Sequence, residues 1–496
     1  MEIQILQLPI EVDRASSLSL QHQLMIKIRE LILQRQLEPG RRLPSSRDLS
    51  SQLAVSRNTV IFAYDRLVSE GYLEVRERAG IFVSPHIPEK SLRIINARSH
   101  PETRAPLPSA RILPMRNRSP LLYQRLRERL ELDFRIGRPA NDCFPKRLWT
   151  KLLVEKMGGS ARRLTEYGNP SGLEELRVAI GEHLKVARGI NAHPDQILIV
   201  AGSEEGLNIV AKILSPPGST VYSENPCYKG VPYVFESYGA TVVPIPVDEE
   251  GLCVDALLGK ERGLVCVTPS HQFPVGVTMS LNRRLRLLDW ADSNGTYIVE
   301  DDYDGDFRYD GSPLTALAGL DRSGSVIYVG TFSKSLGAGL RIGYLVVPEE
   351  LVGAAREAKA LLNNGNPWLE QAVLAEFIGS GGFERHLRKI RHTYLQRRNA
   401  LLEQLRLRFG DVEISGEAAG MHLAWHLSDD RPDARTIQYQ CLHRGVGVYS
   451  IDDSPAIDLS NAGLGKKMLF FGYACLTESE IVSAMDRLEK AALSLA

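Results

Sequence analysis

Lys334 stands among Thr331, Ser333 and Ser335, with Arg341 seven positions further on. The apolar run Val326–Val329 before it has the composition of a buried parallel strand. A lysine just past such a strand lies at the sheet edge where open α/β folds bind ligands. An amine there can form an imine with an aldehyde, while hydroxyls and a guanidinium donate to phosphate oxygens. The grouping predicts an aldehyde cofactor bearing a phosphate, attached at Lys334 and held through Thr331, Ser333 and Arg341. A surface lysine at a strand end carries the same short pattern, so this segment alone leaves both readings open.

A second segment separates them. Thr296–Glu300 reads as another strand, delivering Asp301, Asp302 and Tyr303 at its end. A carboxylate below a pyridoxal ring pairs with the protonated ring nitrogen and strengthens the ring as an electron sink. A tyrosine two residues on can donate to the ring hydroxyl. The 33 positions between Asp301 and Lys334 make about one βα unit, so neighbouring strand ends can present both groups to one ligand. These residues resemble those of fold-type I pyridoxal phosphate enzymes of the class I/II aminotransferase group. Further back, the strand Ile197–Val200 leads through Gly202 into a helix, whose Ser203 and Glu204 amides point at the phosphate. The resemblance implies that Tyr228 stacks on the pyridine face. It also implies that Tyr167, in Glu166–Gly172, reaches the phosphate of a neighbouring subunit.

The elements that must carry these groups sit in a chain of 496 residues, long enough for several domains. No run of about 18 apolar residues predicts a spanning helix, and the N-terminus lacks a signal-peptide pattern. Six scattered cysteines without a C-x-x-C pair argue against zinc clusters or a disulfide framework and fit a reducing cytoplasm. Net charge is zero but unevenly spread: +1 over residues 1–84, +7 over 85–130 and −8 over the rest. A basic connector behind a near-neutral head predicts that the front of the chain faces a polyanion.

Residues 15–84 read as three helices and a hairpin. Ser19 caps the first, which runs to about Gln36. Ser45 and Asp48 form a capping box for the second, and Ser56 caps the third, which ends at Gly71. Leu73 and Val75, then Ile81 and Val83, alternate around a turn, completing a winged helix-turn-helix. Such a motif lays the start of its second helix over base edges, here Ser56, Arg57, Asn58 and Thr59. The string Leu43–Leu49, Val55–Val60 and Leu67–Leu73 resembles the GntR family of bacterial regulators. That resemblance implies that Arg47, Arg57 and Thr59 touch double-stranded DNA and that Gly80 approaches the minor groove. The hairpin itself places Arg76 and Arg78 near phosphates. Residues 85–125, rich in Pro and Arg, read as a tether.

The remaining residues, 126–496, read as the cofactor-binding body. Its Thr268–Pro274 string has Phe273 where catalytic aminotransferases place an asparagine. With Phe383–Arg391 and Ala419–Leu423, it resembles the MocR/GabR regulators, which fuse a GntR head to an aminotransferase-like body. The resemblance implies an α/β fold in which a linker joins the winged helix-turn-helix to a pyridoxal phosphate-dependent transferase fold. That body has a mostly parallel large domain and a C-terminal α+β small domain, and it assembles as a head-to-tail homodimer. Phe470 falls where transaminases carry an arginine for the substrate carboxylate, so either an amino-acid effector uses another cation, such as Arg138, or the effector lacks an α-carboxylate. Two readings follow: a regulator sensing an amine, an amino acid or the cofactor itself, and a working aminotransferase with a fused DNA-binding head. His422 and His426 lie in a strand-like setting, and no metal site is expected.

Overall fold

The computed structural model describes residues 8–14, 16, 18–76, 79–85, 130–159, 161–309, 315–451, 457–458 and 467–493. Arg78 and most of the 85–125 tether lie outside these residues. The chain divides into two compact units, residues 1–108 and 109–496.

In the first unit, helices Leu20–Leu33, Ser46–Leu53 and Arg57–Ser69 precede the hairpin strands Leu73–Arg76 and Gly80–Val83. Each helix starts at its expected serine, because the hydroxyls of Ser19, Ser45 and Ser56 accept from His22 N, Asp48 N and Thr59 N. The first helix stops three residues earlier than expected, and Arg35 takes a left-handed φ of 61°. Leu24, Ile28, Leu49, Val60, Ala63 and Leu67 share one core, joined by Leu8 and Ile10 from the segment before the first helix. Gln52 fixes that segment through both backbone polar groups of Leu8.

The second unit is built on an eight-stranded sheet. In spatial order its strands are Ile197–Val200, Gly343–Val346, Val326–Thr331, Ile298–Asp302, Leu264–Val267, Thr220–Asn225, Thr241–Asp248 and Gly251–Leu252. Gly343–Val346 pairs antiparallel with both neighbours, as does the terminal Gly251–Leu252 with its one neighbour; the other pairings are parallel. Strands Ile197–Val200 and Val326–Thr331 therefore run the same way, and the carboxyl ends of six strands fall along one sheet edge. Apolar clusters cover both faces, which is why Ile197–Val200 and Leu264–Val267 are buried at every position. A smaller antiparallel sheet of Glu413–Ser415, His422–His426, Met468–Gly472 and Tyr449–Ser450 forms the C-terminal part. It goes with helices Gly382–Phe409, Ala434–His443 and Glu478–Leu493.

Two strands differ from expectation, the first being Val326–Val329, which continues to Thr331. The segment expected at Thr296–Glu300 runs from Ile298 to Asp302, so Asp301 and Asp302 are its last members. The acidic run continues the strand because Glu300 and Asp302 find partners inside the protein, while Asp301 Oδ1 stays unpaired among the described residues. Glu300 accepts from Leu317 N and Ala318 N at 2.9 Å each, while Asp302 meets Arg188 and the Tyr328 hydroxyl. No described helix is long and apolar enough to cross a membrane.

Candidate functional site

The cofactor candidates converge on the edge formed by the parallel strands' carboxyl ends. Val326–Thr331 ends one residue before a single π-turn, Ser333–Gly337, that carries Lys334. Such wide turns occur mostly where backbone regularity yields to function. Lys334 Nζ donates to the Gly137 carbonyl at 3.1 Å. Gly137 has a φ of 76°, a conformation that favours glycine, and a Cβ on it would lie 2.7 Å from Nζ. Burial lowers the Lys334 pKa, against the opposing charges of Asp304 and Asp301, and favours the neutral, nucleophilic amine.

Asp301 is buried beside this lysine, and burial, then the charges of Asp302 and Glu204, push its pKa up to about 7. Its Oδ1 has no hydrogen-bond partner among the described residues. Tyr303 lies 2.9 Å through its hydroxyl from His271 Nδ1, which is also 2.9 Å from Asp304 Oδ2. Tyr228 donates to the Glu204 carboxylate, a use of that side chain the sequence did not indicate.

Gly202, at φ 102°, precedes the helix Ser203–Leu214 and presents the first helical amides of Ser203 and Glu204. A Cβ at Gly202 would come within 3.0–3.2 Å of the Arg341 guanidinium. Thr331 and Ser333 hydroxyls meet at 2.9 Å. Helix amides, two hydroxyls and a guanidinium thus gather around an open backbone, an arrangement suited to phosphate.

Pyridoxal phosphate fits this donor set. The unpartnered Asp301 oxygen matches a protonated ring nitrogen, the desolvated Lys334 amine matches the aldehyde, and the Gly202 cradle matches the phosphate. Phe273 stands edge-on to Tyr228 and Tyr303, with ring centroids 6.0 and 5.7 Å away. Its loop is fixed by Thr268 and Gln272, both of which donate to buried Glu224. Phe470 is fully buried, paired with Ala424 and Tyr449. Arg138 is bound to Asp133 at 2.9 Å.

Tyr167 is not brought to this site. It is 91 % exposed and lines a cleft of about 2120 Å³ that does not include Lys334. Sequence reasoning missed His271, Asp304, Gly137 and Glu224. The Thr-Pro-Ser-His-Gln-Phe-Pro string was the available signal for the first, whereas the others depend on long-range packing. His271, Asp304 and His422 offer ligand-capable atoms within 4.8 Å of one another. However, His271 Nδ1 bonds Asp304 Oδ2 and His422 Nε2 bonds the Pro274 carbonyl, as members of a polar network.

In the first unit, Arg47, Ser56, Arg57, Asn58 and Arg76 are exposed, and Thr59 and Gly80 are partly so. Arg57 Nε donates to Ser46 Oγ at 3.2 Å, joining the starts of the second and third helices. Ser56 and Thr59 bond each other at 2.7 Å as part of the cap. Arg76 is held by Glu74 and lies 4.5 Å over the Phe82 ring, so the hairpin fixes its direction.

Residues 137–488 match the model of the aminotransferase class I and II family, and residues 20–83 match bacterial regulatory proteins of the gntR family. An uncharacterised HTH-type regulator of Bacillus subtilis, YdeL, is 33 % identical over 97 % of this chain and 98 % of its own length. The probable rhizopine catabolism regulatory protein MocR of Rhizobium meliloti is 33 % identical over 98 % and 96 %. A solved kynurenine aminotransferase of Pyrococcus horikoshii, in complex with PMP, shares 28 % identity at a TM-score of 0.65, covering 78 % of this chain and 94 % of that one. The chain belongs to the MocR/GabR subfamily of GntR regulators, in which a DNA-binding helix-turn-helix is fused to a class I/II aminotransferase body.

Proposed function

We propose that this protein is a cytoplasmic transcriptional regulator whose body binds pyridoxal phosphate at Lys334 and senses an amine, an amino acid or the cofactor itself. The carrying observation is the desolvated Lys334 amine beside Asp301, whose buried oxygen lacks a partner. When bound, the cofactor supplies an electrophilic carbonyl carbon on an electron-withdrawing ring. Asp301 holds the proton on the ring nitrogen, Tyr303 donates to the ring hydroxyl, and Tyr228 lies against the ring. Ser203, Glu204, Thr331, Ser333 and Arg341 hold the phosphate.

The proposed organisation is a DNA-binding head at 15–84, a tether at 85–125 and a sensing body at 126–496. Arg47, Arg57, Thr59 and Gly80 of the head meet DNA, with Ser56, Asn58, Arg76 and Arg78 beside them. Two chains associate head-to-tail, and exposed Tyr167, Val186 and Leu164 near the large cleft suit such burial. Tyr167 then serves the partner's phosphate.

His386, on the helix Gly382–Phe409, bonds the Ser335 carbonyl at 2.7 Å next to Lys334. A shift at Lys334 on effector binding would therefore be felt by the C-terminal part of the body, and the heads would respond if the effector bound the two arrangements unequally.

The test is the absorption spectrum of purified protein. Lys334→Ala abolishes the visible band of the lysine-bound cofactor while leaving a folded assembly, and an unchanged band defeats the assignment. Steady turnover with a 2-oxo acid would identify a working transaminase, against which Phe273 and Phe470 stand.

A further inference from the structure

We infer that the effector face of the Lys334 site selects an amine whose amino-bearing carbon carries an apolar substituent and no carboxylate. The inference rests on the reading of Lys334 as cofactor attachment point and narrows the ligand class of that same site.

An apolar wall begins next to the lysine. Lys334 Nζ touches the carbonyl of Gly137, and Ile136 packs into a cluster containing Phe273, Phe470 and Ile457. Tyr228 and Tyr303 close the cluster on its cofactor side, each edge-on to Phe273. Ile457 pairs with Tyr228 in a short antiparallel bridge, so this strand is stitched to the ring-stacking residue itself. An alkyl or aryl group lying against this buried cluster meets carbon rather than polar groups.

The charges around the site point the same way. The groups acting on Lys334 are carboxylates, Asp304 and Asp301, which attract an ammonium and repel an acid. Arg188, which shares a cavity with Lys334, is paired with buried Asp302. Arg341 lies against Gly202. Arg138 holds Asp133 Oδ2 at 2.9 Å, while Asp133 Oδ1 accepts from the Tyr449 hydroxyl at 2.6 Å, so both oxygens of that carboxylate are engaged. A carboxylate on the amino-bearing carbon would be buried against this wall without a partner, which is unfavourable.

The experiment is a visible-absorption titration of the full-length, cofactor-loaded protein with matched pairs: 2-phenylethylamine against phenylalanine, and 3-methylbutylamine against leucine. Each pair differs only in the carboxylate. The expected result is a half-maximal spectral change at least tenfold lower in concentration for each amine. Phe470→Arg is expected to narrow or reverse that preference; the wild-type comparison decides the point without it. An amino acid acting at equal or lower concentration than its amine overturns the inference. Abolition of that amino-acid response in Arg138→Gln would identify the guanidinium that binds the acid. A loaded protein that answers neither member of either pair also overturns it, while leaving the cofactor reading intact. A wild-type spectrum indistinguishable from that of Lys334→Ala defeats the cofactor reading, and this inference with it.

Discussion

The Tyr303 hydroxyl lies 2.9 Å from His271 Nδ1, and that nitrogen lies 2.9 Å from Asp304 Oδ2. The phenol assigned to the cofactor's ring hydroxyl is therefore backed by an imidazole and a buried carboxylate. Phe273 adds only an aromatic edge to this surrounding. Asp304 also acts directly on Lys334. Removing the backing group changes how strongly Tyr303 donates, which alters the relative stability of the cofactor's protonation states.

His271→Gln and Asp304→Asn should therefore move the pH midpoint of the bound cofactor's visible absorption. Phe273→Asn, which introduces a polar group beside Tyr303, should move it too. Spectra recorded across pH for the three variants check this. Midpoints equal to that of the unaltered protein would remove His271 and Asp304 from the cofactor's electrostatics.

The cofactor-free protein should lose stability as pH rises. Burial pushes Asp301, Glu224 and Glu300 up to about 7 each. Above their ordinary range near 4, the folded chain retains protons that the unfolded chain has released, so stability falls as pH climbs toward about 8. Burial pulls His183 down, but its bonds to Asp306 and Glu384 outweigh this and raise it to about 9. That contribution is complete below about 6.5 and is lost as pH rises through 9. Buried His422, pulled down to about 3, and His386 and His426, also lowered by burial, oppose this below about 6.5, so melts should give a declining Tm between about pH 6.5 and 8.5. Cofactor loading should flatten the decline, because Asp301 then has a cationic partner. A Tm that rises across the window contradicts the assignment.

What could be read from the chain was local. Ser19, Ser45 and Ser56 cap helices through bonds spanning three residues, so serine followed by apolar periodicity located each start. The places of Lys334 and Asp301 near strand ends were legible because strand ends are punctuated by small and polar residues. The Ile298–Asp302 strand was placed two residues early because consecutive carboxylates look like the end of a buried strand. Their partners, Arg188 and the amides of Leu317 and Ala318, lie far away in sequence or across a turn. The His271–Tyr303–Asp304 contact joins segments 32 and 33 residues apart, with no periodicity to announce it.

Gly202 sets the backbone conformation of the proposed phosphate cradle. At φ 102° any other residue is strained, and the added Cβ would press on Arg341 at 3.0–3.2 Å. Gly202→Ala should cost roughly 1–3 kcal/mol of stability and weaken cofactor affinity at least tenfold. Denaturant melts and cofactor titration, taken together, check it. Unchanged affinity would detach Arg341 from the phosphate.

Arg188 and Asp302 form a buried ion pair beneath the site, with Tyr328 donating to the same carboxylate. Arg188→Met leaves Asp302 charged and uncompensated, which should destabilise the body by about 3–5 kcal/mol. Adding Asp302→Asn should recover part of the loss, since the cost lies in the orphaned charge. A double variant no more stable than the single one would place the cost in lost packing instead.

The head makes the sharpest separation between reading and grip. Arg57 opens the third helix, exposed and braced by Ser46, where a recognition helix meets base edges. Arg57→Ala should cost about 1–3 kcal/mol on an operator fragment and little on unrelated DNA. Arg47, exposed on the preceding helix, suits a phosphate contact. Arg47→Ala should then weaken operator and unrelated DNA alike and reduce the salt slope by about one. Fluorescence anisotropy at several salt concentrations distinguishes the two. If Arg57→Ala weakens both DNAs equally, its guanidinium grips the backbone, and sequence must be read by Asn58 and Thr59.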